Sequence, residues 1–214
     1  MKFRRKSAAA EPESGPEVEA AEVEETASGP GPYDIDDFAH DDGVPRMDLG
    51  SLLIAPTEGT EIRLQVDEAT DAVQAVLLAG TDGALELRAF AAPRNGDLWT
   101  EVRPKIAADF AQRGGTADER EGRFGTELVC RLTVRTPDGG TGTQPSRIIG
   151  VNGPRWMLRA TLLGRPALEP ENAGVWEDAI ARVVVRRGSH PMPSGAELAL
   201  TLPREGTLVE RPSS

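Results

Sequence analysis

Four arginines, Arg88, Arg131, Arg155 and Arg159, fall on the polar side of runs that alternate apolar and polar residues. A guanidinium presents a planar fork of N–H donors that matches a carboxylate or a phosphate. If the strands carrying these arginines are neighbours in matching register, one sheet face holds an anion-binding cluster. The competing expectation is that each pairs with a surface Glu or Asp, worth about 0–1 kcal/mol. A third is that the chain's own acidic N-terminal segment covers the arginine face.

Acidic residues form the second group. "YDIDDF" interleaves Tyr33, Ile35 and Phe38 with Asp34, Asp36 and Asp37, and Asp41 and Asp42 follow. Such a segment either lies along its own domain or serves as a docking motif for a partner. The run lacks the Gly and Glu of a calcium-binding loop, so it reads as solvated carboxylates and not as a metal site.

The groups that most often do catalysis are sparse. His40 and His190 have no His or Cys at ligand spacing, which argues against zinc. The single cysteine, Cys130, forms no internal disulfide, and its strand phase places it among core residues. No G-x-S-x-G, Walker A or G-x-G-x-x-G motif occurs. "DGGTGTQ" (138–144) is Gly-rich but lacks Lys and joins two strands, so it reads as a hairpin loop. No catalytic residue, cofactor or metal is expected.

Charge and composition set the frame for these groups. Of 24 basic and 35 acidic residues, 4 and 12 lie within residues 1–43, a charge of −8, leaving −3 for the rest. Residues 1–32 are rich in Ala, Glu, Pro, Gly and Ser behind a short basic opening, "MKFRRK", and read as a disordered acidic tail. Residues 33–45 form the acidic and aromatic linker or docking segment, 46–203 a single domain, and 204–214 a second tail. No apolar run approaches 18 residues, and no apolar segment follows the basic start, so the expected location is the cytoplasm.

The elements of the domain follow from periodicity. Residues 61–66, 72–80 and 84–92 read as an antiparallel meander. Leu98, Val102, Ile106 and Phe110 recur at helical spacing behind Asp97 as N-cap, with Gly114-Gly115 as the stop and a break expected at Pro104. Residues 126–134 alternate cleanly, with Leu128 and Cys130 on one side. Asn152-Gly153 predicts a hairpin turn between two further strands, the second with Trp156 facing the core and Arg155 and Arg159 facing away. A second helix is expected from Asn172 to Arg187, ended by Gly188, and a late strand over Glu197–Leu202. The sum is an α+β fold: an antiparallel sheet of about six strands with two main helices packed on it.

The runs "LWTEVRP", "GVNGPRWMLRA", "WEDAIARVVVRRG" and "PMPSGAELALTLP", behind "YDIDD", resemble an actinobacterial family designated domain of unknown function 3710 (DUF3710). The resemblance covers roughly Tyr33 to Pro203. It implies a cytosolic bacterial protein without an assigned activity, and it supplies no catalytic residues to carry over. The order of elements also resembles the layout of Mog1/PsbP-type folds, in arrangement alone.

Together these readings favour a non-enzymatic binding or scaffold domain for a protein partner or an anionic one. Its expected contacts are the arginine set, Arg88, Arg131, Arg155 and Arg159, with Tyr33, Asp34, Asp36, Asp37 and Phe38. An enzyme or binder acting on a nucleotide or phosphorylated metabolite through the arginine face is the first alternative. Tail-regulated nucleic-acid binding is the second, against which the isoelectric point of about 4.8 weighs.

Overall fold

In the computed structural model, residues 31–38, 42–70, 72–94, 96–136 and 139–203 are described. The readings for the N-terminal tail, His40, Asp41 and the C-terminal tail lie outside the described residues. In chain order the strands are β1 (Tyr33–Asp34), β2 (Met47–Asp48), β3 (Leu52–Ile54), β4 (Glu61–Val66), β5 (Val73–Ala79), β6 (Gly83–Ala91), β7 (Thr116–Gly122), β8 (Gly125–Arg135), β9 (Thr141–Gly153), β10 (Trp156–Gly164) and β11 (Val184–Val185). The helices are α1 (Leu98–Gln112), α2 (Arg165–Leu168) and α3 (Gly174–Ala181), with a 3-10 turn at Pro170–Asn172 between the last two.

Seven strands form one antiparallel sheet in the order β4-β5-β6-β10-β9-β8-β7, and four short ones form a second sheet in the order β1-β11-β3-β2. The fold is therefore α+β, with a larger main sheet than the six strands expected, a second sheet, and three helices. Strand pleating sends successive side chains to opposite faces. On one face of the main sheet, Leu78, Leu85, Leu87, Leu158 and Leu162 pack with Trp156 against Leu52 and Ile54 of the small sheet and Trp176 and Ile180 of α3. Each such side chain contributes about 1.5–3 kcal/mol when fully buried. On the other face, Leu128, Cys130, Ile148 and Met157 pack against Leu98 and Trp99 of α1.

Four expectations need correction. Helix α1 runs unbroken through Pro104. The ring removes the N–H that would bond the Thr100 carbonyl, but Pro104 is exposed while Leu98, Val102 and Ile106 hold the helix on the sheet. The second helix, expected over Asn172–Arg187, is the shorter α3, which ends at Ala181 because Val183, Val184 and Val185 favour extended structure, the last two forming β11. Arg186 consequently serves no helix terminus; its Nη1 reaches Asp48 Oδ1 at 2.9 Å and the Gly50 carbonyl at 2.8 Å.

The β9–β10 turn lies at Pro154-Arg155 and not at Asn152-Gly153, since Gly153 pairs with Trp156. Proline presets the first turn residue, and Arg155 takes the left-handed conformation with φ 61°. Residues 116–122, although highly charged, form the edge strand β7. Over Glu197–Leu202, Glu197 bridges Phe90 and Leu200 bridges Gly50 and Val73, without a continuous strand.

Candidate functional site

Arg88 and Arg159 stand directly opposite one another on β6 and β10, between the pairs Met157–Phe90 and Thr161–Glu86. Residues in such pairs share a sheet face, and like charges so placed repel. Two carboxylates moderate the repulsion: Arg88 Nε lies 3.5 Å from Glu86 Oε1 and 3.6 Å from Glu197 Oε1. Arg159 Nη2 is 4.0 Å from Glu86 Oε1, outside hydrogen-bond range. Arg88 Nε is buried and has no hydrogen-bond partner. The Arg159 guanidinium lies 5.1 Å from the Phe90 ring centroid. Burial, and next the charge of Arg88, pull the pKa of Arg159 below its ordinary value, against the pull of Glu86 and Glu197.

Arg159, Glu86 and Phe90, though not Arg88 or Glu197, line a cavity of about 550 Å³ between α1 and the sheet. Ile148, Met157, Thr161 and Arg159 line it from β9 and β10, Glu86 and Phe90 from β6, and Leu98, Val102, Ile106 and Phe110 from α1. Lys105, Asp109 and Arg113 also belong to its lining. The volume is that of small-molecule sites, and the wall combines apolar side chains with several charged ones.

The helix that covers the cavity is held at its N-terminus by a local clip. Asp97 accepts from the Thr100 N–H at 2.9 Å, and Asn152 Nδ2 donates to the same carboxylate at 2.6 Å. Asn152 Oδ1 in turn accepts from the Trp99 N–H at 3.2 Å, and Trp99 Nε1 donates to the Thr126 carbonyl at 2.6 Å. Gly150 admits the Trp99 ring; a Cβ there would run into it. Hydrogen bonds from Thr100 and Asn152 keep the Asp97 carboxyl below its ordinary pKa.

The four arginines of the sequence reading do not converge. Arg88 and Arg159 do so, but Arg131 is exposed and one residue out of phase with Cys130, on the opposite sheet face. Arg155 occupies the hairpin turn, where its carbonyl accepts from Arg187 Nε at 3.2 Å.

The "YDIDDF" segment folds into the domain. Tyr33 and Asp34 pair in parallel with Val184 and Val185, and buried Asp34 accepts the Trp156 indole N–H. Tyr33 meets Phe38 with ring centroids 5.8 Å apart, and Arg46 lies 4.4 Å over the Phe38 ring. Asp36 and Asp37 are exposed. Asp42 pairs with Arg46 at 2.7 Å, which lowers its pKa.

Cys130 is fully buried, and burial pushes its thiol up to about 11. His190 is exposed, and its carbonyl accepts from Arg187 Nη1.

Sequence reasoning missed a buried ion network. Arg147, 1% exposed, donates to Glu127 at 2.9 and 3.1 Å and to Glu177 at 2.7 Å, with the Pro166 carbonyl at 3.3 Å. Arg120 also pairs with Glu127. Burial opposes the charge on Arg147, yet the two glutamates hold its pKa above the ordinary value. The available signal was the position of Arg147 at the head of the apolar run Ile148–Ile149.

Over residues 31–207 the sequence matches the family described as protein of unknown function (DUF3710). The chain belongs to DUF3710. The matched span of this DUF3710 chain contains every element named above. No curated protein matches it. A Bacteroides thetaiotaomicron VPI-5482 protein of known crystal structure is similar, with a TM-score of 0.41 and 11% identity over 70% of this chain and 51% of that one. The DUF3710 chain thus spans about half the length of that protein. The cyanobacterial PsbP (CyanoP) of Synechocystis sp. PCC 6803 is similar with a TM-score of 0.35 and 12% identity, over 69% of this chain and 97% of that one. Among the described residues, no helix is long and apolar enough to cross a membrane.

Proposed function

We propose that this protein is a non-catalytic binding domain that receives an anionic ligand or partner group in the cleft beneath α1, against Arg159. The carrying observation is that Arg159, which lines a 550 Å³ cavity, is paired across the strands with another arginine, Arg88, and lies no closer than 4.0 Å to its nearest carboxylate. An incoming anion relieves the repulsion between them and satisfies N–H donors that have left water. The "YDIDDF" segment is a weaker candidate for partner contact, because Tyr33 and Asp34 are committed to the domain's own β1 and core. The division of the arginines between two sheet faces and a turn also weakens the nucleic-acid reading, which needs a continuous cationic surface.

A thermal-shift panel of acyl carboxylates, phosphorylated sugars and nucleosides, and acidic peptides tests this reading on the wild type, Arg159→Gln and Arg131→Gln. A bound ligand at 100 times its Kd adds about 2.7 kcal/mol, a rise in Tm of roughly 5–10 °C for a domain of this size. The expected result is such a rise for at least one anion class in the wild type and Arg131→Gln, lost in Arg159→Gln. Stabilisation by none of the classes, or equal stabilisation of Arg159→Gln, overturns the reading.

A further inference from the structure

We infer that the ligand of this cleft is a fatty-acid-like amphiphile, a monoanionic carboxylate on an aliphatic chain of about ten to fourteen carbons lying along α1; the inference rests on the cleft reading above. Three observations lead to it.

The first is size. A cavity of about 550 Å³ lies within the range of small-molecule sites. A saturated acid of ten to fourteen carbons fits; volume does not separate it from a nucleotide, so the wall and the charge must. The row Leu98–Val102–Ile106 extends over eight helical residues, about 12 Å at 1.5 Å each, which is the extended length of about ten carbons.

The second is the character of the wall. Part of the wall presents Leu98, Val102, Ile106, Ile148 and Met157, apolar side chains, and Lys105, Asp109 and Arg113 of α1 supply its charged part. Each methylene moved from water onto such a surface contributes about 0.8 kcal/mol. A nucleobase or sugar would leave its polar edges unpaired there. Phe90, which could have stacked a base, already carries the Arg159 guanidinium.

The third is charge. The charged lining residues, Arg159, Lys105, Arg113, Glu86 and Asp109, sum to one positive charge, and Arg88 and Glu197 nearby cancel one another. One further negative charge is balanced; a dianionic phosphate would confront both glutamates. Arg159, which lines the cavity and has no carboxylate at hydrogen-bond distance, presents its guanidinium to a planar, bidentate acceptor.

Titration calorimetry of the full chain with dodecanoate below its micellar concentration, beside dodecan-1-ol and adenosine monophosphate, tests the inference. Expected are micromolar binding of dodecanoate, at least tenfold weaker binding of dodecanol, and no displacement by adenosine monophosphate. Arg159→Gln should weaken dodecanoate about tenfold and leave dodecanol unchanged. Methyl NMR shifts should concentrate at Val102, Ile106, Ile148 and Met157, which separates cleft binding from surface adsorption. Failure of dodecanoate to bind, equal binding of acid and alcohol, indifference to Arg159→Gln, or shifts elsewhere on the protein overturns the inference. If dodecanoate fails while another anion of the panel still stabilises the protein through Arg159, the amphiphile is wrong and the cleft reading stands. If no anion acts through Arg159, both fall.

Discussion

Trp156 donates its indole N–H to Asp34 Oδ2 at 2.5 Å, joining the first residue of β10 to a strand 122 residues earlier in the chain. Both residues are buried, at 1% and 8% exposure. Asp34→Ala leaves the indole N–H unsatisfied in the interior, a loss of about 1–3 kcal/mol. Trp156→Phe removes the same hydrogen bond from the other side. Urea denaturation of both single variants and the double variant should show a coupling between them of at least 0.5 kcal/mol, the range for residues in direct contact. Additive losses would mean that the two contribute through separate packing.

The network around Arg147 predicts a larger loss. Arg147→Met leaves Glu127 buried with only the half-exposed Arg120 near it. Removing one partner of a buried pair costs about 3–5 kcal/mol. Replacing the pair together, as Arg147→Met with Glu127→Leu, should recover much of that stability. Chemical denaturation distinguishes the cases, and a double variant no more stable than Arg147→Met would refute the account.

At the start of α1, Asp97→Ala removes both the helix cap and the link to Asn152. The expected loss is about 1 kcal/mol. Because hydrogen bonding lowers the native pKa of Asp97, its contribution is present above the unfolded value near 4 and disappears as pH falls through the native one. Melting curves from pH 7 to pH 2 should therefore show the wild type and Asp97→Ala converging at the acid end.

Cys130 gives a prediction of opposite sign. Its native pKa is about 11, above the value near 8.5 of a free thiol. The unfolded chain loses the proton first, so this contribution is complete below about pH 8.5 and is lost as pH rises towards 11. Stability of the wild type relative to Cys130→Ala should fall over that window. Iodoacetamide at pH 8 should leave the native thiol unmodified for as long as the protein stays folded, and alkylate it in urea.

Much of the sheet was legible because alternation is a local signal. The meander, the strand of Leu128 and Cys130, and the inward face of Trp156 all follow from period-two patterning. The cleft was harder to see. Met157 lies out of phase with Trp156, on the face that the alternation gives to Arg159, although the apolar row of α1 required a partner surface. Once α1 covers that face, Met157 is core and Arg159 is a cavity residue. Arg131 was misplaced because its face depends on which strand neighbours which, information that periodicity does not contain. Strand β7 escaped notice because its charges suit an edge and carry no apolar repeat. The buried glutamate Glu127 and its arginine look polar in sequence and become interior only through each other.

The pairing of β6 with β10 has a kinetic consequence. The last residue of β6, Ala91, faces the first residue of β10, Trp156, across about 65 intervening residues. Closing so wide a loop delays the reward of the contacts it makes and favours refolding over milliseconds to seconds. During synthesis, which releases the chain from its N-terminus, the wall bearing Arg88 emerges long before the wall bearing Arg159. A nascent or truncated chain lacking residues 156–164 has no partner strand for Arg88 and lacks Met157, Arg159 and Thr161 of the cavity, so that cavity closes only after β10 has been made.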